Sequence, residues 1–162
     1  MAEVSDKVAS GETMRFAVVS DEPHLINEVV VRELEGRGHH VVRFGSLQTG
    51  REESWVAAGR AAAEAVGSGA CDEGVFFCWT GTGISMVANK VPGVRAALCT
   101  DPETARGARI WNHANVLALS NRLMSEARVK EVLAAWLDTP NDDPRGATAV
   151  VELTAIEVGR KP

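Results

Sequence analysis

Gly74-Val75-Phe76-Phe77-Cys78-Trp79-Thr80-Gly81-Thr82-Gly83-Ile84-Ser85 decides the fold, because an unbroken apolar run gives way to a glycine-rich turn and then to a helical pattern through Lys90. Such a run predicts a buried strand that ends at Cys78 and leaves the thiol at the carboxyl rim of a sheet. Amide groups at the start of the following helix lack intrahelical acceptors and suit an anion such as a phosphate, an enediolate oxygen or a carboxylate. They would also favour a thiolate, the form in which cysteine acts as base or nucleophile. The glycines do not have the Gly-x-Gly-x-x-Gly spacing, do not follow the first strand and lack the lysine of a nucleoside-triphosphate loop, so a nucleotide site is poorly supported.

Outward from this stretch, strand and helix alternate. Met14 to Ser20 reads as a first strand, followed by a turn at Asp21-Glu22-Pro23 and a helix to about Arg37 with Leu25, Ile26, Val29, Val30 and Leu34 on its apolar face. His39 to Phe44 is a second strand, Gly45 to Gly50 a loop, and Glu52 to Val66 an alanine-rich helix with Trp55 and Val56 as anchors on one side. After the helix at Ile84 to Asn89, Val94 to Cys99 forms strand four, and Asp101-Pro102-Glu103 supplies the cap, proline and first-turn acid of a helix toward Ile110. Asn115 to Leu119 is strand five. Ser125 then caps a helix to about Leu137 whose buried stripe is Val129, Val132, Leu133 and Trp136.

Short apolar strands separated by helices predict a parallel sheet covered on both faces. The expectation is a single-domain, doubly wound α/β fold of Rossmann-like type with a five-stranded parallel sheet. Ligands then bind where the winding reverses at the strand carboxyl ends, the rim reached by Asp21, Cys78, Thr100 and Ser120. Residues 1–13 read as a flexible tail, 14–138 as the α/β domain and 139–162 as a C-terminal extension with a helix that completes the domain or covers a neighbouring subunit.

At 162 residues the chain suits one core. A net charge of -5 and no basic stripe argue against nucleic acid as a partner. Cys71, Cys78 and Cys99 are neither paired nor spaced as zinc ligands, which fits a reducing cytoplasm, and no segment reads as a membrane span or signal peptide.

The order and spacing of Ser20-Asp21, Val41 to Gly45, Cys78 to Ser85 with Ala88-Asn89-Lys90, Val94 to Cys99, and Ala114-Asn115-Val116-Leu117-Ala118-Leu119 before Arg122 carry a resemblance. From Arg15 to about Thr139 the chain resembles the ribose-5-phosphate isomerase B and galactose-6-phosphate isomerase family, as a divergent member. The resemblance implies interconversion of a small aldose phosphate and ketose phosphate through a cis-enediol, with no cofactor and no metal. It implies a cytoplasmic homodimer with active sites at the subunit interface, and a dimer of dimers as a larger assembly. Mapped by motif, the family's base is Cys78, its neighbouring threonine Thr80, its enediolate loop Gly81-Thr82-Gly83 and its first-strand aspartate Asp21.

That chemistry suits those residue types. Isomerisation takes a proton from the carbon beside the carbonyl and returns it to the adjacent carbon, so one base on one face acts twice. Loop amides stabilise the enediolate oxygen where its charge develops. Thr80 orients a hydroxyl or the thiol and also reads as a helix cap, while Asp21 binds sugar hydroxyls, orients a group that opens a ring, or is a local turn cap.

Departures from the family pattern are informative. Glu22 stands where a histidine follows the first-strand aspartate, Trp111 replaces the ring-opening histidine before strand five, and Trp79 replaces a glycine. Either His113 or His24 takes over ring opening, or the substrate is already an open four- or five-carbon chain. Arg122 is the motif-matched phosphate ligand, since a guanidinium pairs directionally with phosphate oxygens. Arg145 is the one arginine left in the segment where the family has a basic cluster, and Asn112 holds a loop or a substrate hydroxyl. The alternatives are an epimerase or isomerase of a non-phosphorylated polyol derivative and a non-catalytic sugar-phosphate binding protein.

Overall fold

Strands β1 (Arg15–Ser20), β3 (Glu73–Cys78) and β5 (Val116–Ser120) are buried along nearly their whole length, which is why they read as continuous apolar runs rather than alternating ones. A computed structural model describes residues 11–159. It joins these strands with β2 (His40–Gly45) and β4 (Ala96–Leu98) into an all-parallel sheet of order β2-β1-β3-β5-β4. Among the described residues seven helices accompany it: α1 (Leu25–Gly36), α2 (Ser46–Thr49), α3 (Trp55–Gly67), α4 (Thr82–Ala88), α5 (Pro102–Asn112), α6 (Glu126–Leu137) and α7 (Ala147–Gly159), with a 3-10 turn at Pro144–Gly146.

The pleat divides the core between two layers. Phe16, Val18, Val75, Phe77, Leu117 and Leu119 pack with the inward faces of α1, α5 and α6. Ala17, Val19, Phe76, Cys78, Val116 and Ala118 meet the alanine stripe of α3 and Ile84 of α4. From β1 the chain winds outward to β2, whereas from β3 it winds the other way to β4 and β5. The reversal falls between β1 and β3, so Asp21 and Cys78 emerge side by side at the carboxyl rim, with Ser20 in register with Phe77.

Several local expectations are corrected. The segment Gly45 to Gly50 is not all loop: α2 forms one helical turn between two glycines of positive φ, and a β-carbon at Gly45 would stand 2.4 Å from the Ser20 carbonyl oxygen. Helix α3 begins at Trp55 because the Ser54 hydroxyl accepts the Ala57 N–H. Trp55, Val56 and Leu25 are exposed, leaving burial on α3 to Ala58, Gly59, Ala62, Ala63 and Val66. Strand β4 begins later than expected, at Ala96, the Asn115 side chain accepting the Arg95 amide just before it. The tail expected at residues 1–13 lies outside the described residues as far as residue 10; residues 11–13 are exposed. Among the described residues no helix is long and apolar enough to cross a membrane.

Candidate active site

Cys78 ends β3 with its side chain on the α3–α4 side of the sheet, almost wholly buried. The other two thiols belong to the core: burial pushes Cys99 up to about 12, and burial likewise raises Cys71 at the opposite end of the sheet. The backbone of Cys78 and Trp79 is tied to β5 and its following turn. The Asn121 N–H donates to the Cys78 carbonyl at 2.9 Å, and the Trp79 carbonyl accepts from the Arg122 N–H at 3.1 Å and the Ser120 hydroxyl at 2.8 Å. Arg122 therefore stands beside the thiol segment, and its guanidinium makes no ion pair or side-chain hydrogen bond among the described residues.

Gly81 opens α4 in the left-handed region, at φ 77°, where a β-carbon would stand 2.6 Å from Leu98 Cδ1 and 3.0 Å from the Leu119 backbone. That close approach turns the chain so that the first amides of α4 face the rim. Thr80 does not cap the helix, correcting that expectation: its hydroxyl shares a 2.7 Å hydrogen bond with the Thr82 hydroxyl. Gly83 carries the Trp55 ring, whose Cε3 would lie 3.1 Å from a β-carbon there.

The β1 side completes the rim. Asp21 is fixed by its carbonyl, which accepts the Glu53 N–H at 2.7 Å. Partial burial, with the neighbouring Glu22 charge next, raises its carboxyl above the usual range. Behind it runs a polar chain absent from the sequence reading: Asn27 Nδ2 donates to Asn121 Oδ1 at 2.9 Å, Asn121 Nδ2 to Ser20 Oγ at 3.1 Å, and Ser20 Oγ to the Glu22 carbonyl at 2.7 Å. Among the described residues, five buried side-chain polar atoms have no hydrogen-bond partner: Asp21 Oδ1, Glu22 Oε1, His24 Nδ1, Asn27 Oδ1 and Ser46 Oγ. All five follow β1 or β2 at the carboxyl rim. His24 lies at the N-terminus of α1 without capping it, its ring 6.3 Å from that of Trp79.

Asp21, Glu22, His24, Cys78, Trp79, Thr80, Gly81, Thr82, Gly83 and Arg122 thus share one rim. Trp111, Asn112, His113 and Arg145 lie at the other end of the sheet. Helix α5 runs back from the carboxyl end of β4, so its last residues reach the strand beginnings; the Asn115 carbonyl there accepts the Gly74 N–H, four residues or about 13 Å from Cys78. His113 is also committed locally: Nε2 is 2.7 Å from the Asp143 carbonyl, its own carbonyl accepts Arg95 Nε, and its φ of 45° turns the chain toward β5. Within a single chain His113 stands away from the thiol rim, and His24 is the histidine at that rim. Arg145 is clamped by both oxygens of Asp143, at 2.9 and 2.8 Å.

A second cavity of about 910 Å³ runs between the β4 edge, α5 and α7, lined by Leu98, Trp111, Asn112, Leu153 and Ile156. Of the apolar residues on α7 only Val150 is buried, while Val151, Leu153, Ile156 and Val158 are exposed. Among the described residues no three His, Cys, Asp or Glu side chains converge as a metal-binding group.

Comparisons with known proteins bear on the family and the fold. Over 136 residues the chain is 35% identical to ribose-5-phosphate isomerase B of Escherichia coli, covering 84% of this chain and 91% of the relative. It is 34% identical over 132 residues to D-erythrulose-4-phosphate isomerase of Pectobacterium atrosepticum, covering 82% and 87%. The solved ribose-5-phosphate isomerase B of Clostridium thermocellum superimposes with a TM-score of 0.84 at 37% identity, covering 90% of this chain and 99% of that one. Residues 16–153 match the model of the ribose/galactose isomerase family, and the chain belongs to that family of sugar-phosphate isomerases.

Proposed function

We propose that the protein interconverts a small open-chain aldose phosphate and ketose phosphate through a cis-enediol, with Cys78 as the base that moves the proton between adjacent carbons. The observation that carries this reading is the juxtaposition, at the β1/β3 winding reversal, of a rim thiol, a glycine-opened amide loop and the unpaired carboxyl oxygen of Asp21. In this scheme the thiolate takes the proton from the carbon beside the carbonyl. The amides of Gly81, Thr82 and Gly83 hold the enediolate oxygen, and the thiol returns the proton to the neighbouring carbon. Asp21 receives substrate hydroxyls, Thr80 orients a hydroxyl or the thiol through its link to Thr82, and Arg122 supplies the free cation for the phosphate.

Loss of the ring-opening histidine to Trp111 and the local engagement of His113 support a substrate that is already linear, with four- and five-carbon chains first. Trp111, Asn112 and Arg145 serve a thiol site only by crossing to a neighbouring subunit. The exposed face of α7 and the β4 edge groove support a homodimer that brings them there. Steady-state assays with C4 to C6 aldose and ketose phosphates, run in both directions, test the reading. Turnover of at least one pair is expected; tight binding without turnover across the panel would leave a binding protein instead. Light scattering of wild type and of Ile156→Asp tests the assembly, the variant being expected as a monomer with reduced activity.

A further inference from the structure

Beside the thiol rim lies a separate cavity of about 380 Å³ between the β1–α1 and β2–α2 connections, lined by His24, Asn27, Glu28, Ser46 and Leu47. Three of the five unpaired buried polar atoms belong to residues in its wall: His24 Nδ1, Asn27 Oδ1 and Ser46 Oγ. Asn27 and Ser46 are 2% and 3% exposed, and such groups ordinarily find partners in a folded chain. Leaving them unpaired costs stability, so a site that does so in three neighbouring side chains is shaped for hydrogen bonds from outside the chain.

The polarity of the wall follows from the chain of bonds behind it. Glu22 offers a carbonyl, an acceptor only, so Ser20 Oγ donates to it and must accept from Asn121 Nδ2. Asn121 Oδ1 then faces Asn27, which turns its Nδ2 inward and leaves Oδ1 as the free atom. The cavity therefore presents a fixed acceptor at Asn27, with Ser46 and His24 able to donate or accept. Glu28 in the wall is neutralised by Arg43, bonded at 2.6 and 3.1 Å, so the pair offers no cation to an anion, and the Asp21 and Glu22 carboxylates just upstream disfavour one. At about 30 Å³ per water the space equals roughly a dozen waters, enough for a short chain of hydroxylated carbons.

Two ties connect it to the thiol segment. The His24 ring faces Trp79, and Asn27 is bonded to Asn121, whose N–H donates to the Cys78 carbonyl. We propose that this cavity is a hydroxyl-binding subsite, in which Ser46, Asn27 and His24 receive the uncharged, hydroxylated part of the open-chain sugar while its phosphate stays on the Arg122 side. The assignment deepens the proposed function and rests on it.

Calorimetric titration with D-ribitol 5-phosphate, an open-chain polyol that cannot be isomerised, tests the subsite without requiring turnover; inorganic phosphate is the control ligand. Removing an unpaired buried hydroxyl should stabilise the ligand-free protein while removing a ligand contact. Ser46→Ala is therefore expected to raise Tm and to weaken D-ribitol 5-phosphate at least tenfold, with phosphate affinity unchanged. The subsite is overturned if Ser46→Ala binds D-ribitol 5-phosphate as tightly as wild type, if both ligands weaken equally, or if wild type binds the polyol no better than phosphate. The isomerase reading fails by a different observation, absence of turnover across the sugar-phosphate panel, so the two failures remain distinguishable.

Discussion

Both ends of this sheet bury polar groups, but they treat them in opposite ways. At the amino end, Glu73 and Arg109 are each 1% exposed and form a 2.7 Å ion pair. The second oxygen of Glu73 accepts Trp136 Nε1 at 2.7 Å, Arg109 bonds the Ala114 and Thr139 carbonyls at 2.8 Å, and its guanidinium lies 4.7 Å from the Trp136 ring. The charges and donors there satisfy one another within the chain. At the carboxyl end, Asp21, Glu22, His24, Asn27 and Ser46 each keep a buried polar atom unpaired. A closed network serves the fold, whereas an open set costs stability, which suits the ligand role proposed for it. Substitutions should therefore separate by network: within the closed Glu73–Arg109–Trp136 set stability falls and chemistry survives, and within the open set at the carboxyl end the reverse holds.

The largest effect belongs to the thiol. Cys78→Ala is expected to lower kcat by about 10²- to 10⁴-fold with Tm nearly unchanged, the range for a positioned acid–base group; steady-state rates beside a thermal melt check both halves.

Glu73→Gln at the opposite rim should do the converse. It leaves Arg109 buried without its counter-charge and is expected to cost about 3–5 kcal/mol in denaturant unfolding, while kcat per folded molecule stays within a few-fold of wild type. A stable Glu73→Gln protein with lost activity would collapse the distinction between the rims.

Gly81→Ala probes the one place where both effects should coincide. The left-handed backbone alone costs about 1–2 kcal/mol, and the new methyl would meet Leu98 and the Leu119 backbone, so Tm and kcat should fall together.

Asp21→Asn is the smallest in stability and the most telling in sign. Burial and Glu22 raise this carboxyl in the folded chain, so the native state binds more protons than the unfolded chain between the ordinary value of 3.8 and the raised one. Stability contributed at this position thus falls as pH rises through that window. The Asn variant should melt slightly higher than wild type at pH 7, the difference vanishing below about pH 3.8 in melts across pH, while sugar-phosphate affinity drops.

The fold was legible because each central strand is apolar on both faces and each helix carries its own punctuation. Ser54, Asp101 and Ser125 all cap as their residue types suggest. Edges are less legible: β4 and α2 depend on Asn89 and Asn115 side chains and on the close approach of Gly45 to Ser20, which no local pattern announces. Cys78 and the glycine loop stood out by their place between strand and helix. The polar chain behind them did not, since the Asn27–Asn121 bond joins residues 94 apart. His113 shows the opposite failure. It is close in sequence to the residues that mark the family, yet the direction of α5 carries it to the far end of the sheet. Glu73 could have been suspected from a carboxylate opening an apolar strand and from the need of buried Trp136 for an acceptor.

The central claim, that the Cys78 thiol moves the proton, is tested most directly by solvent hydrogen exchange. With whichever aldose–ketose phosphate pair the wild type turns over best, the reaction is run in heavy water and deuterium at the carbon beside the carbonyl is followed by mass spectrometry. In wild type, turnover should bring solvent deuterium into the product to the extent that the Cys78 thiol proton exchanges before its return, and Cys78→Ala should show neither exchange nor turnover above about 1% of the wild-type rate. Exchange in Cys78→Ala within tenfold of wild type would contradict the account.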